Sequence, residues 1–289
     1  MATTLINSGH DVEESQLEPE DVLHEHGQTE QADRHELVFA MFNITTSLSW
    51  FINDMWGVEL IAPIRIVQSE ATFIGPEGLN LPGFGSIHHR DETLVGISDT
   101  TLQTRLSHAT PLDTGGRLSG SFYLGISLPT GKIEPNPDAL GRAGLNHQHI
   151  FFGRGTFAPI SGGNIALTQT NFGIEAWFNA IFPFYENEFG YRANRDIAGG
   201  FAFTHSLGLD DWDFGILADA YRNSTALWEG EPQRNSGRTD FILGSRFTWR
   251  WAESSLATLE FKRPVYTEAN GGQLAIPLMV SLSLGHSIL

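Results

Sequence analysis

The sequence contains no cysteine, which removes disulfide frameworks, thiolate metal sites and cysteine nucleophiles in one step. Lysine is almost absent, occurring only at Lys132 and Lys262. No stretch approaches the roughly 18 consecutive apolar residues that a membrane-crossing helix requires. Positive charge is scarce, with 17 Lys and Arg against 34 Asp and Glu, and the net charge of −17 argues against a nucleic-acid partner. Residues 1–7, Met-Ala-Thr-Thr-Leu-Ile-Asn, have neither a basic segment nor an apolar one and do not read as a secretory leader.

What is present is glycine (31), phenylalanine (20) and tryptophan (7). The chain's 289 residues suit one large all-β domain. Residues 1–36 hold Asp11, Glu13, Glu14, Glu18, Glu20, Asp21, Glu25, Glu30, Asp33 and Glu36 against a single Arg34. Such a run cannot bury a core, so 1–36 is expected to be an acidic disordered tail and 37–289 the folded domain.

From residue 37 onward, apolar and polar residues alternate between turn signals, the mark of β-strands. Phe42, Ile44, Leu48, Trp50 and Ile52 share one face, and Asn43, Thr45, Ser47 and Ser49 the other. Asn53-Asp54 turns the chain into Trp56, Val58, Leu60, Ala62, Ile64 and Ile66, opposite Glu59 and Arg65. The same alternation recurs at 118–128, 174–184, 214–221, 240–251 and 278–288. The polar faces carry Glu59, Arg65, Asp99, Arg105, Tyr123, Glu175, Trp177, Asp219, Asp240, Arg246 and Arg250. A soluble barrel turns its apolar face inward and coats the outside with Lys and Glu. A membrane barrel does the reverse and lines its lumen with small polar residues and charges of both signs. The lysine-poor, arginine-bearing polar face fits the second arrangement, with those eleven residues as the lumen and transport lining. Trp50, Trp56, Trp249 and Trp251 fall near strand ends, as an interfacial aromatic girdle requires.

Tight connections are expected near 53–54, 108–116, 158–162, 210–211 and 252–254, and long ones at 70–92, 130–147, 185–197, 226–237 and 265–272. They alternate, as in barrels with short periplasmic turns and long external loops. This division gives about eleven strands, whereas bacterial single-chain barrels have an even number. Either a strand precedes residue 37, or Thr170-Asn171 splits 163–184 at the expense of the alternation. The expectation is an up-and-down antiparallel transmembrane β-barrel of about twelve strands, within a range of 10–14.

Five stretches carry a resemblance. They are Gly125-Ile-Ser-Leu-Pro-Thr-Gly-Lys132, Gly96-Ile-Ser-Asp-Thr-Thr-Leu-Gln-Thr-Arg105, Val265-Tyr-Thr-Glu-Ala-Asn-Gly-Gly-Gln-Leu274, His147-Gln-His-Ile-Phe-Phe-Gly-Arg-Gly-Thr-Phe157 and Tyr185-Glu-Asn-Glu-Phe-Gly-Tyr-Arg192. Together, across roughly 40–289, the chain resembles the outer-membrane transporter-like proteins named for the meta pathway of phenol degradation. The resemblance implies a bacterial outer-membrane barrel that passes small, often aromatic or apolar, organic solutes. Its partners are then the lipid bilayer and that solute, with room for a periplasmic or surface protein. Export would rest on a signal peptide removed or replaced ahead of Met1, or on a different start.

Histidines are the residues with most chemical potential. His147 and His149 share a face at i, i+2, and His88-His89 lies in another long connection. Neutral imidazoles of this kind bind Cu(II), Zn(II) or Ni(II), and those four together make the one candidate metal site. The competing reading is loop-packing histidines bonded to backbone groups, and no spacing matches a zinc signature such as H-E-x-x-H. No cofactor is otherwise expected. No enzyme is expected either, because His205, between Phe203 and Leu207, has no serine placed to join it in a hydrolytic site. Two alternatives stay open: a non-conducting barrel that binds a metal or partner through loop histidines, and a soluble all-β ligand-binding protein.

Overall fold

The computed structural model describes residues 2–11, 34–75, 78–80, 90–113, 115–147, 150–208, 211–233, 236–252, 254–270 and 275–286. Its main strands are β1 (Ala2–Asp11), β2 (Arg34–Phe51), β3 (Trp56–Ile74), β4 (Glu92–Ile97), β5 (Thr100–Pro111), β6 (Arg117–Leu128), β7 (Ala158–Thr168) and β8 (Phe172–Ile181). After the two-residue β9 (Tyr191–Arg192) come β10 (Asp196–Ser206) and β11 (Trp212–Asn223). The short β12 (Leu227–Trp228) and β13 (Glu231–Pro232) precede β14 (Arg238–Ala252), β15 (Ser255–Ala269) and β16 (Ala275–His286). One short helix, α1 (Pro137–Arg142), lies in the β6–β7 connection.

Every long strand pairs antiparallel with its neighbours, and the sheet closes on itself because β1 pairs with both β2 and β16 while β2 also pairs with β3. β4 and β5 both pair with β3, end to end, so they are two halves of one segment in a twelve-position barrel. Closure matters because a lipid-exposed sheet edge leaves backbone groups with no partner in a bilayer.

The break between β4 and β5 has a local cause. Pro63 of β3 has no N–H to give the ladder, and its carbonyl accepts from Ser98 N at 2.9 Å. Thr130 takes up the groups freed beside it. Its hydroxyl accepts from Thr100 N at 2.8 Å and donates to Ser98 O at 3.0 Å.

The outer wall is apolar. Leu60, Ile64, Phe122, Leu124, Ile174, Phe178, Phe201, Ile216, Leu243 and Leu284 are all exposed, and the buried residues include Asp99, Gln103, Asp219 and Asp240. A water-soluble fold reverses that order, which removes the soluble ligand-binding reading. On β3 the outward face changes from Leu60 and Ile64 to exposed Gln68, Glu70 and Thr72. There the inward face carries buried Val67 and Phe73. The longer strands thus rise past an apolar belt of the roughly 9–11 residues that a crossing strand needs. Trp50, Trp56, Trp212, Trp249 and Trp251 gather at the tight-turn rim, with Trp212 and Trp249 stacked at 5.6 Å. Phe182, Phe184, Tyr185, Phe241 and Tyr266 are exposed at the opposite rim.

Two expectations are corrected. Residues 1–36 are not all tail, because Ala2–Asp11 form β1 and β2 begins at Arg34. Ala2–Asp11 carry only one of the acids counted there, Asp11, and pair with β2 and β16 on either side. Residues 12–33 lie outside the described residues. The tight connection expected at 158–162 lies inside β7, and the turn is at 169–171, where Gln169 N donates to Phe172 O at 2.8 Å. Residues 150–157 belong to the long β6–β7 connection rather than to a strand, so splitting at Thr170-Asn171 keeps the alternation of short and long connections. The strand that parity required before residue 37 is β1.

Two measurements test this architecture. The protein is expected to need detergent and to migrate faster unboiled than boiled on a gel. Ile216→Arg, placed mid-strand on the lipid face, is expected to cost about 2–4 kcal/mol in unfolding from lipid vesicles. The same change at Trp249, on the rim, should cost about 0–1 kcal/mol beyond the lost ring contact.

Candidate functional site

The interior is built from the inward positions of each strand. Glu59 of β3 and Gln103 of β5 are register partners. Gln103 Nε2 donates to Glu59 Oε2 at 2.7 Å and Arg105 Nη2 donates to the same oxygen at 3.0 Å. The Arg105 guanidinium lies 6.0 Å from the Tyr123 ring centre. Tyr123 reaches past β7 to donate to Asn179 Oδ1 on β8 at 3.0 Å. Gly162 makes that reach available, since a Cβ there would sit 2.2 Å from the tyrosine oxygen.

A second chain of contacts crosses the bore. Ser121 donates to Asn164, whose amide donates to Glu175 at 3.0 Å. Arg246 Nη1 meets Glu175 at 3.4 Å, and its Nε donates to Glu260 at 2.7 Å. Lys262 Nζ joins Glu260 at 3.2 Å and Asp219 at 3.0 Å. β8 and β14 are separated in the sheet by β10 and β11, so the Arg246–Glu175 contact passes through the interior. Trp177 and Asp219 both lie over Gly200, where a Cβ would be 2.9 Å from the indole nitrogen.

A third cluster forms at the long-loop end. Asp99 sits in the β4–β5 break and accepts from Gly131 N at 3.1 Å and Arg154 N at 2.8 Å. The Arg154 side chain lies 3.7 Å from Asp99 and donates to Asp196 of β10 at 2.9 Å. Asp196 also accepts from Tyr221 at 3.1 Å and from Asn223. Arg65 donates to Asn43 at 3.1 Å and to the Phe151 carbonyl at 3.4 Å. Above these charges the β6–β7 connection meets a small sheet of β9, β12 and β13. Phe151 stacks on Tyr191 at 5.4 Å, and Tyr191 packs on Trp228 at 4.7 Å. Burial pushes the Tyr191 phenol up to about 12, so it stays neutral and apolar in character there.

Of the other charges that the sequence singles out, Asp240 is buried, held by Arg238 at 2.7 Å and by Thr267 at 2.6 Å. Arg250 pairs with Asp213 at 2.5 Å on neighbouring strands at the tight-turn rim. Glu59, Arg105 and Tyr123 come together, as do Glu175, Trp177, Asp219 and Arg246; Arg65 and Asp99 join Arg154. Sequence reasoning missed Arg154, Asp196, Tyr221 and Lys262. Lys262 was legible from its period-2 spacing with Glu260. Arg154 was not, because it sits in a long connection whose path no periodicity reports.

His147 is buried, with Nδ1 2.9 Å from the Leu145 carbonyl. His88, His89 and His149 lie outside the described residues. Among the described residues no three His, Asp or Glu side chains converge as a metal site. His205 is exposed on the outer wall. Ser255 and His286 meet at 2.8 Å through His286 Nδ1, the nitrogen that a hydrolytic triad gives to its carboxylate, and Ser255 is buried. That contact closes the β15–β16 register rather than exposing a nucleophile.

No protein-family model and no curated protein matches the sequence. Among solved structures, the fold is similar to that of an outer membrane channel from Pseudomonas putida F1, with a TM-score of 0.55 and 11% identity over 98% of this chain and 94% of that one.

A double-mutant cycle separates bore from rim. Arg246→Gln with Glu260→Gln is expected to give a coupling of about 0.5–3 kcal/mol in unfolding measurements. Arg250→Gln with Asp213→Asn, where the arginine is half exposed, should give less than about 1 kcal/mol.

Proposed function

We propose that this chain is a bacterial outer-membrane channel admitting small organic solutes through a charged lumen, and that it belongs with the transporter-like proteins named for the meta pathway of phenol degradation. The observation that carries the reading is the division of the wall: apolar residues face outward, while acids and bases face each other across the interior. Fixed charges and amides on the wall can replace a solute's hydration shell as it passes, which is how narrow pores select. Contacts across the bore at Arg246–Glu175 and Arg154–Asp196 favour small solutes over large ones. The likeness in fold to a solved outer membrane channel supports the same reading. The tight turns then face the periplasm and the long connections the exterior.

Reconstitution tests this. Purified protein in planar bilayers is expected to give small discrete conductance steps, and proteoliposomes should swell in arabinose but not in a tetrasaccharide such as stachyose. Arg246→Ala, which breaks the contact across the bore, is expected to raise the step size. Absence of both conductance and swelling in heat-modifiable protein would sink the reading.

A further inference from the structure

The long-loop cluster contains a cation that holds two walls together without being needed by either. Asp99 already accepts two backbone N–H groups, from Gly131 at 3.1 Å and Arg154 at 2.8 Å. Asp196 already accepts from Tyr221 and Asn223 on its other oxygen. Withdrawing the Arg154 guanidinium therefore leaves neither carboxylate without donors. Removing one partner of a buried ion pair is costly mainly when it strands the other charge, and here it does not.

Three further features make that guanidinium available. It is partly exposed, at 25%, while Asp99 beneath it is at 3%. Its backbone is moored independently, through Arg154 N on Asp99 and through Asn187, whose amide donates to Arg154 O at 3.2 Å. A second cation, Arg65, lies within electrostatic influence of Arg154. Its hydrogen bonds go to neutral oxygens of Asn43 and Phe151, and among the described residues no carboxylate lies within ion-pair distance of it. An anion arriving at this level meets one arginine with an exchangeable partner and another on which Asp99 acts only from beyond ion-pair distance.

We propose that Arg154 is an exchangeable strut: it docks the carboxylate of a permeating solute in place of Asp196, with Arg65 as the second cation. This rests on the channel reading above. The planar guanidinium suits a carboxylate because two N–H groups can meet its two oxygens. Exchange also unties the β6–β7 connection from β10, so the docked solute loosens the contact that spans the bore.

The test uses full-length protein in proteoliposomes at zero membrane potential, with labelled gluconate and labelled sorbitol as probes. The two are similar polyols that differ in the carboxylate. Wild type is expected to take up gluconate several-fold faster than sorbitol. Arg154→Ala should lose that preference while sorbitol uptake is kept or raised. Asp196→Asn removes the competing carboxylate and should increase the preference; it leaves both backbone moorings of Arg154 in place and decides the matter if Arg154→Ala does not fold. A gluconate-to-sorbitol ratio unchanged by these substitutions, in heat-modifiable protein that still passes sorbitol, overturns the docking role and leaves the channel reading standing. If wild type passes neither solute, the channel reading fails and the docking role falls with it.

Discussion

Inside a bilayer, a backbone amide can be satisfied only by another part of the chain. The rest of this structure follows from that. It is why the sheet closes through β1, why strands alternate instead of clustering their apolar residues, and why the interrupted segment β4–β5 has its freed groups taken by the hydroxyl of Thr130. The alternation leaves polar side chains nowhere to go but inward. Once there, they face a bore too narrow to keep them apart, so acids and bases meet across it.

The pairing inside is graded by depth. At the tight-turn rim Arg250 and Asp213 lie on neighbouring strands and stay open to water. Mid-bore, Arg246 ties β8 to β14 and β15 through Glu175 and Glu260. At the long-loop end the ties run through a connection instead of a strand. Water-filled surroundings screen the first set most and the last least, so the connection is where a single side chain has most influence over the interior.

How much of this was legible beforehand depended on where period-2 alternation holds. Glu59, Glu175, Asp219 and Arg246 were found as inward residues because each sits between outward apolar neighbours on a regular strand. The strand count came from parity alone. Composition misled at the N-terminus because it was averaged over 1–36: Ala2–Asp11 hold a single acid, Asp11, and pair as β1, while the other acids come after them in the chain. The turn at 169–171 is hidden from composition because Gly162 and Gly163 look like turn residues but serve inside β7, where Gly162 makes room for Tyr123. The stretches Gly96–Arg105, Gly125–Lys132, His147–Phe157 and Tyr185–Arg192 lie far apart along the chain. In the fold they supply Asp99, Gly131, Arg154 and Asn187, which meet at one place. Distant segments converging on a break in a strand leave no mark in local spacing.

The two aromatic collars are unequal. The tight-turn rim is rich in indole, with Trp249 in contact with both Trp212 and Trp251, whereas the opposite rim is mainly phenyl and phenol. Indoles hold to the headgroup boundary because one end of the ring system is apolar and the other donates a hydrogen bond. The barrel is thus pinned at its tight-turn leaflet and held more loosely at the other. A thickening or thinning of the bilayer is then absorbed at the loosely held end. That end carries the Arg154 strut, so lipid composition enters as a mechanical input to the mouth.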